Sequence, residues 1–485
     1  MSFASLVFFI FLPVVFALHW VWPRRQWQNS VLLAASYFFY GWWDYRYCSL
    51  MLFSSLMDYV IGRKIADART PRQRRLLLTV TLVSNLGLLG LFKYFNFFAD
   101  SFALLLAAAG FEVNTTTLNL VLPIGISFYT FQTLSYTLDI YRGEFAPRKD
   151  LLEYLTFVSF FPQLVAGPIE RAMHLLPQFS AARIFSAEAA ITGCRLMLWG
   201  LAKKMMLADN LGGIVEGIFI RADSASGAEL ALATFCFAFQ IYCDFSGYSD
   251  IAAGTASLFG IQLVRNFAFP YFSQNLTEFW RRWHISLSTW FRDYVFIPLG
   301  GSRCSARRNS ANILATMLLS GLWHGAAWHY VAWGAMHGAC LLGEKLFGRD
   351  HAQIPFAATP GGESLLPGLD ACWRMARTFL IVCAAWVLFR VDNLNEAFQI
   401  YWRVGNEVFG ASFYVNLWKL AGENRAVLVT LAALVIAEWC GRRRWNPLAW
   451  EKLPRAVRWL VYTALGWGVL YFGTQRSADF IYFQF

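Results

Sequence analysis

The chain has 485 residues, of which 57% are hydrophobic, 18% aromatic and only 15% charged. Soluble domains carry roughly 25% charged residues, so this composition excludes an ordinary soluble domain and indicates a polytopic membrane protein. The formal net charge of +11 does not indicate nucleic-acid binding, because the basic residues separate apolar runs, as cytoplasmic membrane anchors do. We therefore expect membrane lipid, and no nucleic acid, around the chain.

Apolar segments and basic loops alternate through the N-terminal half. The first segment, residues 3–22, has no preceding basic residue and no small-residue cleavage site, which favours a retained helix over a signal peptide. The loop 63–75 carries the strongest cytoplasmic charge signal of this half. The other apolar segments here are residues 31–43, 50–61, 76–92 and the short 97–111.

Helix breakers interrupt two of the next segments. Residues 118–136 contain Pro123 and Gly125, and residues 154–165 contain Pro162. Broken helices persist at membrane depth only where protein or a watery cavity satisfies the freed backbone groups, so an internal cavity is expected. Residues 168–186 are predicted to be a cytoplasmic loop.

Polar residues also punctuate the segments that follow. In the apolar segment 187–207, Lys203 and Lys204 are expected to snorkel or to meet an anionic ligand. An acidic, aromatic turn is predicted at 242–250, between the apolar segments 230–240 and 251–263. The later apolar segments are residues 341–347, 379–389, 427–439 and 459–472, with the loop 348–368 as a linker candidate.

Together these patterns predict an all-α, polytopic integral membrane protein with about ten to twelve transmembrane or re-entrant helices. We expect one membrane-embedded domain over residues 1–485. The nine cysteines are scattered and show no CxxC or Cys/His ligand spacing. That scatter favours small core residues over a disulfide framework or a structural zinc.

Residues 277–338 combine a polar, aromatic stretch with a long apolar one. In helical register His284, Ser288 and Arg292 form one polar stripe, four residues apart. From residue 311 to residue 340 the only ionisable acidic or basic side chains are three histidines. An ionisable group at membrane depth is costly, which indicates a functional site there.

His324 is the candidate general base, because an imidazole can accept a hydroxyl proton and return it near neutral pH. Gly321 and Gly325 would let a substrate approach it, and the alternative is a core histidine that donates to a carbonyl. On one continuous helix His324, His329 and His337 cannot share a face. We therefore predict no metal site and interpret the last two as structural polar groups.

The stretch from Trp280 to Tyr294 reads Trp-Arg-Arg-Trp-His-Ile-Ser-Leu-Ser-x-Trp-x-Arg-Asp-Tyr, and Pro-Leu-Gly-Gly and Leu-Trp-His-Gly follow it. This ordered series resembles the membrane-bound O-acyltransferase family, and within it the bacterial polysaccharide O-acetylase branch. Further agreement extends the resemblance over essentially the whole chain: Leu-Pro-Ile-Gly-Ile-Ser-Phe at 122–128, Ala-Gly-Pro at 166–168, Asp-Phe-Ser-Gly-Tyr-Ser-Asp at 244–250 and Phe-Ile-Tyr-Phe-Gln-Phe at 480–485.

The resemblance implies that His324 is the catalytic histidine of a multi-pass enzyme of the bacterial inner membrane. It places the catalytic segment at about 270–340 and implies that the transmembrane or re-entrant helices surround a central tunnel. It also implies an acetyl-coenzyme A donor, no permanently bound cofactor and a polysaccharide acceptor such as alginate or a similar exopolysaccharide. A separate periplasmic polysaccharide acetyltransferase is the implied partner. Acylation of peptidoglycan, cellulose or teichoic acid is an alternative. A membrane transporter is an alternative of another class, since it too would contain broken helices.

The remaining candidates each have two interpretations. His284 either faces the same cavity as His324 or anchors the chain at the membrane interface. Arg281, Arg282 and Arg292 suit the phosphates of acetyl-coenzyme A, or they are solvated charges. We expect two acidic residues, Asp244 and Asp250, to pair with such arginines instead of acting in catalysis.

The aromatic C-terminal residues 479–485 do not fit an ordinary solvated tail. One crossing beyond the basic loop 442–458 places them outside, where they could fold back into the tunnel mouth or meet a partner. Tyr482 is then a candidate transient acetyl acceptor. An interfacial aromatic anchor is the alternative. Neither a Gly-x-Ser-x-Gly elbow, a Walker A loop nor a dinucleotide fingerprint occurs, which argues against hydrolase, ATPase and dehydrogenase activities.

Overall fold

The computed structural model describes residues 1–111, 117, 118, 120–347, 366–450, 453–473, 480 and 481. These residues form α-helices and short π- and 3-10 turns, with no strand among them, which confirms the all-α class. They group into two compact units, residues 1–193 with 255–264 and residues 194–254 with 265–485. The expectation of a single membrane-embedded domain stays a prediction.

The helices are numbered in chain order. The first nine are α1 (Leu6–Val21), α2 (Arg25–Asp44), α3 (Arg46–Asp67), α4 (Pro71–Leu89), α5 (Phe95–Ala108), α6 (Ile126–Arg142), α7 (Leu151–Ser159), α8 (Phe161–Leu164) and α9 (Ala172–Phe179). The others are α10 (Ala187–Leu201), α11 (Asp209–Phe219), α12 (Gly227–Leu258), α13 (Leu276–Arg282), α14 (Ile285–Phe291), α15 (Ala306–His324), α16 (Trp328–Leu346), α17 (Leu369–Arg390), α18 (Leu394–Glu407), α19 (Ala411–Glu423), α20 (Arg425–Gly441) and α21 (Arg455–Gly473).

The predicted helix breaks at Gly125 and Pro162 are confirmed. Gly125 has a φ of 78° and directly precedes α6, while Pro162 lies in the first turn of α8. A Cβ on Gly125 would lie 2.8 Å from the carbonyl oxygen of Leu164, so the two breaks contact each other. The loop predicted at 168–186 is wrong in part, because α9 forms there and buries Leu175 and Leu176.

The turn predicted at 242–250 is wrong, since these residues are helical within the 32-residue helix α12. Gly247, which suggested a turn, serves close packing against α10 instead. A Cβ on Gly200 would lie 2.4 Å from the carbonyl oxygen of Gly247, and one on Gly247 would lie 2.8 Å from that of Gly200. The polar residues of this stretch stay helical because they find partners inside the protein, as the site geometry shows.

The apolar stretch 311–340 is a hairpin of α15 and α16 rather than one helix. The backbones of its two helices are in direct contact. A Cβ on Gly321 would lie 2.2 Å from the carbonyl oxygen of Tyr330, and a Cβ on Gly334 would lie 2.2 Å from the carbonyl oxygen of Met317. The ring of Tyr330 also fills the space over Gly325. These glycines therefore pack the hairpin, and the prediction that they leave room for a substrate is wrong.

Three helical stretches of the described residues are long and apolar enough to cross a bilayer: Pro71–Ala108, Gly227–Leu258 and Leu369–Arg390. A fourth results if α19 and α20, bent by 87°, form one span. The predicted count of ten to twelve is thus not confirmed. One physical reason is that other helices bury polar groups, such as Asp58 of α3, which accepts a 2.9 Å hydrogen bond from Asn85 of α4.

The hairpin packing generates a stability prediction. Gly321→Ala and Gly334→Ala should each lower the free energy of unfolding by about 1–3 kcal/mol, because backbone atoms cannot move aside as a flexible side chain would. Thermal unfolding of the detergent-solubilised protein measures this loss. Gly343→Ala is the matched control on α16, where a Cβ meets nothing within 4 Å. Equal melting temperatures for all three variants would contradict the packing role.

Candidate active site

His324 is the last residue of α15, and the chain turns away from it through the extended Gly325. Its side chain is only 4% exposed and lies among aromatic rings. Ring centroids are 5.0 Å from Trp323, 5.1 Å from Trp333 and 5.3 Å from Phe389. The hairpin thus places the imidazole of His324 in a buried interior lined by aromatic rings.

His284 lies in the break between α13 and α14, not within a continuous helix, so the predicted stripe of His284, Ser288 and Arg292 is wrong at its first member. The φ of His284 is 42° and its ψ 55°, a left-handed conformation. Among the described residues, only Phe269 is a second non-glycine with positive φ. Such a conformation costs roughly 1–2 kcal/mol, and strain of this kind concentrates at functional sites.

The two histidines meet in the interior of the second unit. Their ring centroids are 6.5 Å apart, and the His284 side chain is fully buried. Phe245 of α12 packs edge-on against His284 at 4.6 Å, and Trp323 lies 6.0 Å from it. His284 therefore faces the same interior as His324, and its interpretation as an interfacial anchor is wrong because the side chain is wholly enclosed.

Asn266 holds the strained turn, and nothing in the sequence pattern had indicated it. Its backbone oxygen accepts the N–H of Ile285 at 2.9 Å. Its side-chain Oδ1 accepts the backbone N–H of Ser286 at 3.3 Å and the Ser286 hydroxyl at 2.9 Å. Its Nδ2 donates to the Ser249 hydroxyl of α12 at 3.3 Å. An isolated Asn before an apolar run has no local signature of such a role.

The three candidate arginines have different surroundings. Arg282 is buried and forms an ion pair with Glu278, one turn earlier, at 3.0 Å. Arg292 is exposed and pairs with its neighbour Asp293 at 2.6 Å. Arg281 is half-buried at the end of α13. Their assignment to donor phosphates stays a prediction, and Arg282 already has a carboxylate partner.

Asp244 and Asp250 of α12 pair with lysines and not, as expected, with the candidate arginines. Lys203 binds Asp250 at 2.7 Å, and Lys204 binds both Asp209 and Asp244, at 2.9 and 2.8 Å. Both lysines are buried on the π-helical segment Ala202–Ala208. Neither lysine snorkels, because protein carboxylates compensate the buried charges.

The C-terminal residues Phe480 and Ile481 are docked on α12. The backbone N–H of Ile481 donates to Asp244 Oδ2 at 2.7 Å. Phe480 packs on Tyr248 at 4.7 Å and on Phe245 at 5.8 Å, so it shares Phe245 with His284. Both residues are buried. Tyr482, the candidate acetyl acceptor, lies outside the described residues.

A cavity of about 330 Å³ lies in the second unit. It is lined by aromatic and apolar residues with one carboxylate, and among them are Phe239, Tyr242, Tyr271, Phe379, Glu438 and Trp439. Trp283, which directly precedes His284, lies 6.0 Å from Tyr271 of the cavity lining, and the two rings are tilted. The predicted central tunnel stays a prediction.

The described part of the chain contains no cluster of three or more His, Cys, Asp or Glu residues suited to a metal ion. The three histidines do not share one helix, since His324 lies on α15 and His329 and His337 lie on α16. His329 Nδ1 lies 2.9 Å from the carbonyl oxygen of Leu388. This contact fits the structural role predicted for His329.

The chain was compared with known proteins. The model of the membrane-bound O-acyltransferase family matches residues 145–360, which contain both histidines. A probable alginate O-acetylase of Pseudomonas putida is 38% identical over the full length of both chains. One of Pseudomonas aeruginosa is 39% identical over 94% of this chain and 85% of its own. A peptidoglycan O-acetyltransferase of Helicobacter pylori is 34% identical, over 81% and 78% respectively.

These matches confirm the resemblance seen in the motifs, and they agree with the apolar helices and the buried histidine pair. A full-length relative at this level of identity leaves no part of the chain outside the similarity. The chain therefore belongs to the membrane-bound O-acyltransferase family and is a membrane O-acyltransferase.

Proposed function

We propose that the protein transfers acetyl groups from cytosolic acetyl-coenzyme A through the bacterial inner membrane to an exported polysaccharide, alginate or a similar exopolysaccharide. The observation that carries the proposal is the buried pair of His284 and His324, 6.5 Å apart, in a chain similar to probable alginate O-acetylases. The thioester is already activated, so the protein needs no permanently bound cofactor. Its tasks are to position the carbonyl, supply a base and exclude water.

His324 acts as the general base in this proposal. It removes the proton of an acceptor hydroxyl, whose oxygen attacks the thioester carbonyl carbon. The C–S bond breaks as the tetrahedral intermediate collapses, and the leaving thiolate takes the proton back from the imidazolium. The hydroxyl is acetylated, the thiol is released and His324 is neutral again.

His284 supplies the second polar contact, an N–H donated to the oxyanion of the tetrahedral intermediate. The ring centroids of the two imidazoles are 6.5 Å apart, close enough for both side chains to act on one reacting group. The surrounding Trp323, Trp333 and Phe389 limit the access of water, which would hydrolyse the thioester.

Arg281, Arg282 and Arg292 bind the phosphates of the donor in this proposal. Guanidinium groups form bidentate, charge-assisted hydrogen bonds with phosphate. Arg281 and Arg292 are the stronger candidates, since Arg282 is buried in its ion pair with Glu278, whereas Arg292 is exposed and its partner Asp293 is its own neighbour. A basic group at the donor entrance would also attract a polyanionic donor.

Tyr482 receives the acetyl group transiently and passes it to a periplasmic polysaccharide acetyltransferase, the proposed partner. The support for this role is that Ile481, the residue before Tyr482, is buried and donates its backbone N–H to Asp244. Transfer to Tyr482 requires that His324 remove the phenol proton, that the phenolate attack the thioester and that the thiol leave. The interfacial-anchor alternative predicts no acetylated protein.

One relative is named a peptidoglycan O-acetyltransferase, so peptidoglycan is the second candidate acceptor. The two are distinguished by incubating the purified protein and its partner with acetyl-coenzyme A labelled in the acetyl group. Alginate oligosaccharides and peptidoglycan fragments are supplied in parallel. Label in the alginate product supports the proposal, whereas label in peptidoglycan alone contradicts the assigned acceptor.

The first prediction concerns His324. His324→Ala should reduce acetyl transfer by about 10²–10⁴-fold, because general-base catalysis contributes a factor of this size. Release of free thiol from acetyl-coenzyme A, measured on protein of wild-type melting temperature, checks the rate. His19→Ala, which removes another buried histidine, is the control for loss of an imidazole. Retention of more than about one per cent activity would rule out the base.

The second prediction concerns the arginines. Arg281→Ala and Arg292→Ala should each raise the KM for acetyl-coenzyme A about tenfold with a smaller change in kcat, because they remove phosphate contacts. With S-acetylpantetheine, which keeps the thioester but lacks the nucleotide phosphates, neither variant should differ from wild type. Arg307→Ala on the exposed start of α15 is the control. An unchanged KM for acetyl-coenzyme A would contradict phosphate binding and support the interpretation of both arginines as solvated charges.

The third prediction concerns Tyr482. Tyr482→Phe keeps the ring and removes the hydroxyl, so polysaccharide acetylation should be lost while the protein accumulates normally. The wild-type protein should retain base-labile acetyl label when the acceptor is omitted, and Tyr482→Phe should not. Tyr471→Phe on α21 is the matched control. Full polysaccharide acetylation by Tyr482→Phe would exclude the relay and leave the anchor interpretation.

A further inference from the structure

We propose that Asn266 is a positioning residue for acyl transfer: it holds His284 in its left-handed conformation and thereby directs the imidazole toward His324. The inference rests on the proposed function in one respect, the participation of His284 in the transfer. It assigns Asn266 no contact with substrate. The whole effect of Asn266 passes through the backbone of the α13–α14 turn.

The first argument is the capping of α14. The first N–H groups of a helix lack partners within it, and a side chain at the N-cap residue commonly accepts one of them. Here the N-cap residue is His284, whose side chain forms no capping hydrogen bond. Asn266 accepts the N–H groups of Ile285 and Ser286 instead. Asn266 thus caps the helix from a separate segment, and His284 keeps its imidazole for the interior.

The second argument is that the turn is fixed on both sides of His284. The backbone N–H of Ala268 donates to the carbonyl oxygen of Arg282 at 3.0 Å, and that of Ile285 donates to the carbonyl oxygen of Asn266 at 2.9 Å. The segment 266–268 therefore lies along the turn like a short antiparallel strand. A histidine keeps a left-handed backbone conformation only where the surrounding structure holds it there. These hydrogen bonds on both sides of His284 do so.

The third argument is the attachment of Asn266 to the element that faces His284. Asn266 Nδ2 donates to Ser249 on α12, and one turn earlier on the same helix Phe245 packs against the His284 ring. Asn266 is itself buried. Contacts with α12 therefore fix both the backbone of His284, through Asn266, and its ring, through Phe245. An error of about 1 Å in placing a catalytic group can reduce a rate about 10²-fold, so this attachment affects chemistry more than binding.

The experiment compares Asn266→Ala with Ser286→Ala in steady-state acetyl transfer by the purified full-length protein. Asn266→Ala removes the acceptor for both the Ser286 N–H and the Ser286 hydroxyl, and should lower kcat at least tenfold with the donor KM within twofold. Ser286→Ala removes only the hydroxyl contact and should stay within about threefold of wild-type kcat. A merely structural role would lower the fraction of active protein without this difference between the two variants.

A second measurement uses melting temperatures to test whether Asn266 stabilises the left-handed backbone of His284. Glycine adopts the left-handed region without penalty, so His284→Gly removes the strain that Asn266 opposes. Asn266→Ala should therefore lower the melting temperature less in the His284→Gly background than in the wild-type background. Equal shifts in both backgrounds would overturn the proposed link between Asn266 and His284.

The outcomes separate the inference from the proposed function. Loss of transfer in His284→Ala with unchanged kcat in Asn266→Ala overturns the positioning role alone. Full transfer in His284→Ala overturns both the role of His284 and the positioning role. If Asn266→Ala does not accumulate, Asn266→Asp replaces it, because an Asp oxygen can still accept both Ser286 bonds. Asn266→Asp should then keep a kcat within tenfold of wild type, and a larger loss overturns the inference.

Discussion

Compensation of buried charge along α12 is the constraint on which the second unit depends. The central turns of this helix carry two carboxylates, Asp244, which is buried, and Asp250, which is partly exposed. Removing one partner of a buried ion pair commonly costs about 3–5 kcal/mol. Lys203 and Lys204 provide the partners from one π-helical segment, a local form that often marks functional sites. With its charges compensated, α12 continues through its polar stretch without a break and serves as a scaffold.

That scaffold carries the three attachments from which the site is built. Phe245 packs against the His284 ring, Ser249 anchors Asn266, and Asp244 accepts the backbone N–H of Ile481. The same carboxylate that balances Lys204 therefore also fastens the C-terminal residues. The pairing with Lys204, the turn at His284 and the docking of Ile481 therefore all depend on residues of this one helix.

Both histidines stand at helix ends, which explains how an interior of long helices can bring them together. His324 ends α15 where the hairpin turns, and the glycine contacts of α15 with α16 fix that end. His284 precedes α14 in a backbone break. Side chains within a helix project at fixed angles from its axis, whereas residues at a break can be directed by their own φ and ψ.

The sequence was sufficient for the fold class and the family, because composition and motif order depend little on distant contacts. It was not sufficient for α12, where Asp, Ser and Gly indicate a turn unless one knows that Lys203 and Lys204, some forty residues earlier, compensate the charges. The hairpin was likewise hidden, since Gly325 lies within an unbroken apolar run. Asn266 was missed because its role depends on hydrogen bonds to residues about twenty positions away.

The left-handed backbone at His284 also restricts which residues can evolve at this position. Among residues other than glycine, positive φ is most often found for asparagine, aspartate and histidine. For β-branched residues it is strongly disfavoured. Glycine would satisfy the backbone but offers no polar group to the interior. At position 284 the backbone therefore favours these three polar residues before any demand of chemistry applies. Backbone geometry thus selects residues that can hydrogen-bond to a reacting group, independently of which acyl acceptor a given protein of this fold uses.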